Sequence, residues 1–264
     1  MMAELALDKA KVRRSFAAAA RTYDDLAELQ RQVGLELLRQ FPVEAGDGPI
    51  LDVGCGTGFL TDQLCSANKP LLALDIAMPM LQISRQKYPG MSTGYVCADA
   101  EKLPFANNSI EQIYSNLALQ WAQDLPATFR GFKQVLRSKG RLVLATFGPK
   151  TLHELKTAWA AVDDYVHVND FLSAKQIELC LLNAGFGEVC IESVVYQTEY
   201  PSVEALMREL KGIGAHNVNN RRNHKLTTRS QLHSMIRRYQ AEMTGRAIVA
   251  TYEILFVQAR PVLP

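Results

Sequence analysis

Three carboxylates and three glycines give the first chemical signal. Asp52 precedes a turn with glycines at alternate positions, Gly54, Gly56 and Gly58, in the stretch ILDVGCGTGFLTDQL that begins at Ile50. Asp75 ends the next apolar run, LLALD, and Asp99 stands just after a third, in GYVCADAEKLPF. Glycines spaced in this way let a main chain pass close beneath a ligand. A triphosphate loop would need Lys-Ser or Lys-Thr after the glycines, and neither follows. A dinucleotide turn would need its third glycine where Phe59 stands. Asp52 would repel phosphate and favour an ammonium. Asp75, 21 residues beyond Gly54, is placed to accept hydrogen bonds from ribose hydroxyls, and Asp99 could reach an adenine amino group. The set describes an adenosine with a positively charged amino-acid end and no phosphate, which fits S-adenosylmethionine. The competing reading is a tight turn whose glycines serve packing alone.

These residues need strands to aim them and helices to brace them. Five short apolar runs, ILDV at 50, LLALD at 71, GYVCAD at 94, IEQIYSN at 110 and RLVLATF at 141, alternate with helical patterns. Leu125, Phe129, Phe132 and Leu136 form one such stripe, and Asp24–Phe41 carries another through Leu26, Leu29, Val33, Leu37 and Phe41. The alternation predicts a doubly wound, Rossmann-like α/β sheet, mostly parallel, with helices on both faces. Further on, Thr151–Asp164 reads as a helix, and Ser173 can cap another that stops at Gly185. Glu188–Tyr200 and Ile248–Arg260 read as strands. Between them lie a helix through Val203, Leu206, Met207 and Leu210, a polar loop (His216–Lys225), and a helix from about Ser230. The expected organisation is an N-terminal helical segment over the cofactor site (1–46), a core (47–199 with 246–264), and a helical insert before the last strand (200–245).

With 264 residues, 48% of them hydrophobic and 21% charged, the chain has the composition of a soluble globular protein. Its apolar runs are too short to cross a bilayer, and its first residues lack the apolar core of a signal peptide, so a cytoplasmic protein with no membrane partner is expected. The five cysteines include no CxxC and the five histidines no HExxH-like pair, so no metal site is expected. The net charge is +2, but Tyr200–Gly245 holds eight basic residues against three acidic ones. A positive segment on an otherwise negative chain points to an acidic partner. Nucleic acid is disfavoured, because no basic stripe is interleaved with aromatic residues.

DVGCGTG, LALD and ADAEKLPF, over roughly Ile50–Phe147, resemble the class I S-adenosylmethionine-dependent methyltransferases. That resemblance implies a seven-stranded sheet with its last strand antiparallel, and a cofactor seated against Asp52, Gly54, Gly56, Gly58, Asp75, Ile76, Met80, Asp99, Ala100 and Leu117. A second set of strings runs almost the whole chain in order: FAAAARTYDDLAELQ, SNLALQW, LKGIGAHN, TTRSQL and ATYEILF. Together these resemble the malonyl-acyl-carrier-protein O-methyltransferase family of the biotin pathway. The resemblance implies methyl transfer to the free carboxylate of a malonyl thioester, on acyl carrier protein or coenzyme A, giving the methyl ester that starts pimelate synthesis. The alternatives are a small-molecule carboxyl or quinol-precursor methyltransferase and a non-catalytic S-adenosylmethionine-binding protein.

A carboxylate is already ionised at neutral pH, with a reference pKa of about 4, so no general base is expected. What the site needs is donors that orient the acceptor: Arg or Lys for the oxygen that does not attack, Tyr or Trp beside it. Tyr23, Trp121 and Lys211 are the candidates, with packing or solvent as their alternatives; Lys211 could hold the carboxylate or the phosphopantetheine phosphate. His167 reads more as a surface-loop histidine than a pocket residue. Arg208, Arg221, Arg222, Arg229, Arg237 and Arg238 form the pool for docking an acidic carrier protein, against an ordinary solvated basic face.

Overall fold

The structure is a computed structural model that describes residues 8–90, 93–215, 227–243 and 247–262. Seven strands, β1 (Ile50–Val53), β2 (Leu71–Asp75), β3 (Thr93–Cys97), β4 (Ile110–Asn116), β5 (Leu136–Phe147), β6 (Phe186–Tyr200) and β7 (Ile248–Pro261), form one sheet in the order 3-2-1-4-5-7-6. Strands β1 to β5 pair in parallel, and β7 runs antiparallel to both β5 and β6. The five apolar runs all become strands, and the sheet is the expected mostly parallel one.

Alternation along the strands divides two cores. Val143, Ala145, Ile254 and Phe256 join the cluster on one face, and Leu142, Leu144, Leu255 and Val257 join the cluster on the other. Successive side chains of a strand point to opposite faces, so runs buried on both faces read as continuously apolar. The first face packs α3 (Glu28–Gln40), α4 (Phe59–Cys65), α7 (His153–Ala160), α9 (Val203–Gly212) and α10 (Arg229–Ala241). The second packs α6 (Leu125–Val135) and α8 (Ala174–Asn183). Polar caps start four of these helices: Asp124 accepts from the Ala127 N–H and Ser202 from the Ala205 N–H, and Ser173 and Thr228 each form a capping box.

The N-terminal segment departs from expectation. Its apolar stripe stays in phase from Leu26 to Phe41, yet the chain breaks at Ala27 (φ −88°, ψ 40°) into α2 (Tyr23–Leu26) and α3. Before them α1 (Lys9–Ala19) lies against α5 (Met78–Lys87), with Asp8 as its cap. Helices α1 and α2 and the first turn of α3 meet the sheet at the carboxyl ends of its strands, where ligands bind such folds.

Candidate active site

The chain leaves β1 through Gly54, Gly56 and Gly58, which have φ of 73°, 54° and 90°. The three glycines serve different ends. A Cβ on Gly54 would stand 2.2 Å from the Ala118 Cβ, so this glycine lets the turn pass under the end of β4. A Cβ on Gly58 would stand 2.1 Å from the Ser84 Oγ of α5. Gly58 therefore packs α4 against α5 and is not among the residues lining the cleft. At Gly56 the nearest atom to such a Cβ is the ring edge of Tyr23, 3.9 Å away, so here the main chain is bare.

A cleft of about 710 Å³, including its open mouth, crosses this end of the sheet. Ile76, Met80, Ala100, Leu117 and Leu119 supply apolar wall, and Lys9, Asp75, Asp99 and Asn116 are among its polar groups. Asp75 accepts from the Gly56 N–H at 3.0 Å and the Ala77 N–H at 2.7 Å, and burial pushes its carboxyl up to about 6. Asp52 lies deeper, in a neighbouring recess that joins the cleft at Gly54, Gly56, Tyr23 and Asn116 and also holds Arg31. It is 1% exposed and accepts from the Thr61 hydroxyl at 2.6 Å; burial, with the nearby Asp75, pushes it up to about 7. Asp99 is already in an ion pair: Lys9 Nζ lies 2.8 Å from it and 3.1 Å from Glu101, which ties α1 across the cleft.

These residues fit S-adenosylmethionine. The bare main chain at Gly56 leaves room for a ligand that a side chain would fill. Asp52 and Asp75 are buried acids with no cation within salt-bridge distance among the described residues, a costly arrangement that an ammonium and a pair of ribose hydroxyls would relieve. The Asn116 Oδ1 is buried and has no hydrogen-bond partner. Gly54, Gly56, Asp75, Ile76, Met80, Asp99, Ala100 and Leu117 line the cleft, and Asp52 lies in the recess beside it.

A second chamber, about 870 Å³, shares Phe16, Tyr23, Leu117 and Trp121 with the cleft. Phe16 and Trp121 meet edge to face, ring centres 5.5 Å apart. Leu117 holds a positive φ of 48° while its N–H bonds the Ala145 carbonyl at 2.9 Å. Tyr23 is half-buried; desolvation, then the charges of Asp75 and Asp24, raise its phenol above the ordinary value, so it stays a protonated donor. Beyond this junction Phe147, Leu155 and Phe171 supply aromatic and aliphatic wall, closed by Leu210 of α9 and by Ile213 after it, beside the polar Thr151, Asn169 and Glu209.

Two expectations change at the chamber. Lys211 is exposed and outside its lining, because α9 turns Val203, Leu206 and Leu210 inward and leaves Lys211 off that stripe. Among the described residues no Lys or Arg lines the chamber. His167, read from the sequence as a surface residue, is half-buried in the chamber wall; it stacks on Trp159 at 3.7 Å and lies 2.8 Å from Asp163. The sequence reading also missed Phe16, Asn116 and Gln120. Phe16 had a signal, an apolar position four residues from Val12 on α1.

Of the basic pool, Arg208, Arg229, Arg237 and Arg238 are exposed on α9 and α10; Arg221 and Arg222 lie outside the described residues. Among the described residues, no cluster of three His, Cys, Asp or Glu could hold a metal ion, and no helix is long and apolar enough to cross a membrane.

Residues 51–144 match the family model of a methyltransferase domain. The fold is that of the YcgJ protein of Bacillus subtilis (TM-score 0.64, 14% identity, 88% of this chain and 98% of that one). It is also that of phosphoethanolamine N-methyltransferase 2 of Haemonchus contortus, solved with S-adenosyl-L-methionine (TM-score 0.54, 16% identity, 87% and 52%). Sheet order, cleft and domain match define an S-adenosylmethionine-dependent methyltransferase. Over 251 residues the chain is 40% identical to the malonyl-acyl-carrier-protein O-methyltransferase of Hahella chejuensis, covering 94% of this chain and 89% of the relative. The enzyme of that name from Methylococcus capsulatus is 41% identical over 247 residues, 91% of this chain and 90% of the relative. The biotin biosynthesis bifunctional protein BioHC of Cellvibrio japonicus is 39% identical over 252 residues; the match takes in 96% of this chain and spans half of that relative's length. The chain belongs to the malonyl-acyl-carrier-protein O-methyltransferase family.

Proposed function

We propose that this protein methylates the free carboxylate of a malonyl group held as a thioester on acyl carrier protein, as its relatives' names describe. The observation that carries the proposal is the junction of the two cavities. A methyl donor in the cleft and an acyl end in the chamber would meet between Phe16, Tyr23, Leu117 and Trp121.

When bound, S-adenosylmethionine supplies an electrophilic methyl on a positively charged sulfur, which departs as a neutral thioether as a carboxylate oxygen takes the carbon. No proton moves, so the protein needs no base. Its residues position the nucleophile and exclude water. The Tyr23 hydroxyl and the Trp121 indole N–H are neutral donors at the junction, able to orient a carboxylate without the strong pairing that would blunt it. Apolar chamber walls desolvate the nucleophile and then suit the uncharged ester. Gly56 and Asp75 hold the donor, Asp52 its amino-acid end. Helices α1 and α2 cover the cleft, and α9 closes the chamber. The exposed arginines 208, 229, 237 and 238 supply a docking face for an acidic carrier protein.

The test is mass spectrometry of malonyl-acyl carrier protein, malonyl-coenzyme A and free malonate, each incubated with enzyme and S-adenosylmethionine. The carrier-bound malonyl group is expected to gain one methyl fastest. A folded, cofactor-binding enzyme that leaves it unmodified, or that prefers free malonate, defeats the proposal.

A further inference from the structure

Asp24 follows Tyr23 in α2 and has no part in the reaction just described. Its carboxylate is nonetheless held from two sides: Oδ1 accepts from the Thr57 hydroxyl at 2.5 Å and Oδ2 from Lys87 Nζ at 2.7 Å. Thr57 lies in the glycine turn between Gly56 and Gly58 and is 2% exposed; Lys87 ends α5. The Asp24 carbonyl accepts from Arg31 Nη1 of α3 at 2.5 Å. One residue thus ties α2 to the cofactor turn and to two other helices. On its other side α2 meets α9, where a Cβ on Gly212 would stand 2.1 Å from Leu26.

A helix of four residues has no stability of its own, so the place of Tyr23 is set by such outside contacts. The Tyr23 ring packs against Ala20, Ala77 and Met80, but its hydroxyl makes no hydrogen bond to the described residues that would fix the phenol's position. We infer that Asp24 is a positioning residue, which fixes the Tyr23 phenol at the junction of cleft and chamber through its bond to Thr57 of the glycine turn. The inference rests on the role given above to Tyr23. A bond made to the turn itself registers the phenol against the same main chain that seats the methyl donor. A displacement of about 1 Å at such a point is enough to slow a transfer.

Thr57→Val removes the hydroxyl at nearly constant volume, and Thr57→Ser keeps it. With malonyl-acyl carrier protein and saturating S-adenosylmethionine, Thr57→Val is expected to lower kcat about tenfold. The KM for the thioester and the calorimetric Kd for S-adenosylhomocysteine should stay within about twofold, and Thr57→Ser should restore the rate. In a Tyr23→Phe background Thr57→Val should cost nothing further, because two residues acting through one group are non-additive. Losses that multiply, a homocysteine-product Kd that rises in step with the fall in kcat, or a Tyr23→Phe enzyme as fast as wild type while Thr57→Val is slow, would each overturn it. Hydrogen exchange asks the same question without an acceptor. Thr57→Val should speed exchange in peptides covering 22–27, and unchanged protection there overturns the inference even if the acceptor proves to be another acid.

Discussion

The two ends of the parallel sheet treat buried charge in opposite ways. At the amino end, Arg141 opens the core of β5 and is 2% exposed. Its guanidinium donates to Gln112 at 2.9 Å, Gln258 at 3.1 Å, Glu44 at 3.2 Å, the Tyr114 hydroxyl at 2.5 Å and the Pro42 carbonyl. Arg260 shares Glu44 at 2.5 Å. At the carboxyl end, Asp52 and Asp75 are buried as deeply but meet only a hydroxyl and main-chain N–H groups, and burial leaves both with raised pKa values. A charge whose hydrogen bonds are complete within the fold is structural. A charge left without its countercharge awaits something from outside, and that is where the ligand belongs.

The comparison can be broken in four ways. The largest effect is expected at the saturated end. Arg141→Ala should cost about 3 kcal/mol of stability, because it strands the acceptors around a buried cation. Urea unfolding would show it, while the affinity of the folded fraction for S-adenosylhomocysteine stays put. Asp75→Asn should do the reverse: a loss of roughly 2 kcal/mol in binding, about thirtyfold in Kd by calorimetry, with a smaller change in the unfolding midpoint. Equal effects of the two variants on binding would erase the distinction between the ends.

Protonation sharpens the contrast. Asp52 and Asp75 have folded-state pKa values of about 7 and about 6, above the 3.8 of a free aspartate. Between those limits the unliganded native state binds more protons than the unfolded chain, so its stability should fall as pH rises from about 4 to about 7. Asp52→Asn should flatten that slope in a thermal-melt series, and a slope of opposite sign would show the acids to be neutralised within the fold. The smallest effect is expected on the exposed arginines. Arg237→Glu with Arg238→Glu should raise the KM for the carrier-bound substrate about threefold to tenfold at low salt, less at high salt, and leave cofactor binding alone. An unchanged KM would make this helix face an ordinary solvated one.

Much of the carboxyl end could be read from the sequence because it is local. Asp75 ends its own strand, Asp52 sits one residue inside its own, and the turn follows directly, so each is placed by the alternation that builds the sheet. Where contact across the chain decides, local pattern was a poorer guide. Gly58 matched the pattern of a ligand-facing glycine, but Ser84 of α5 occupies the space beside it. The break at Ala27 carries no Gly or Pro, and the apolar stripe crosses it in phase, so nothing local marked it. Lys211 stood in a suggestive string, yet the burial of Val203 and Leu206 sets the rotation of α9 and leaves the lysine in solvent.

The order of apolar runs, the bare turn after the first of them and the acids near their ends determined a parallel sheet that seats an adenosine with a charged amino-acid tail. Those properties follow from strand periodicity and main-chain sterics, which act over a few residues. The second chamber was decided by tertiary structure alone. Its wall is drawn from α1, α2, the segments around β4 and α7, α9 and β7, and which side chains face inward depends on how each element is rotated against its neighbours, a quantity set by packing.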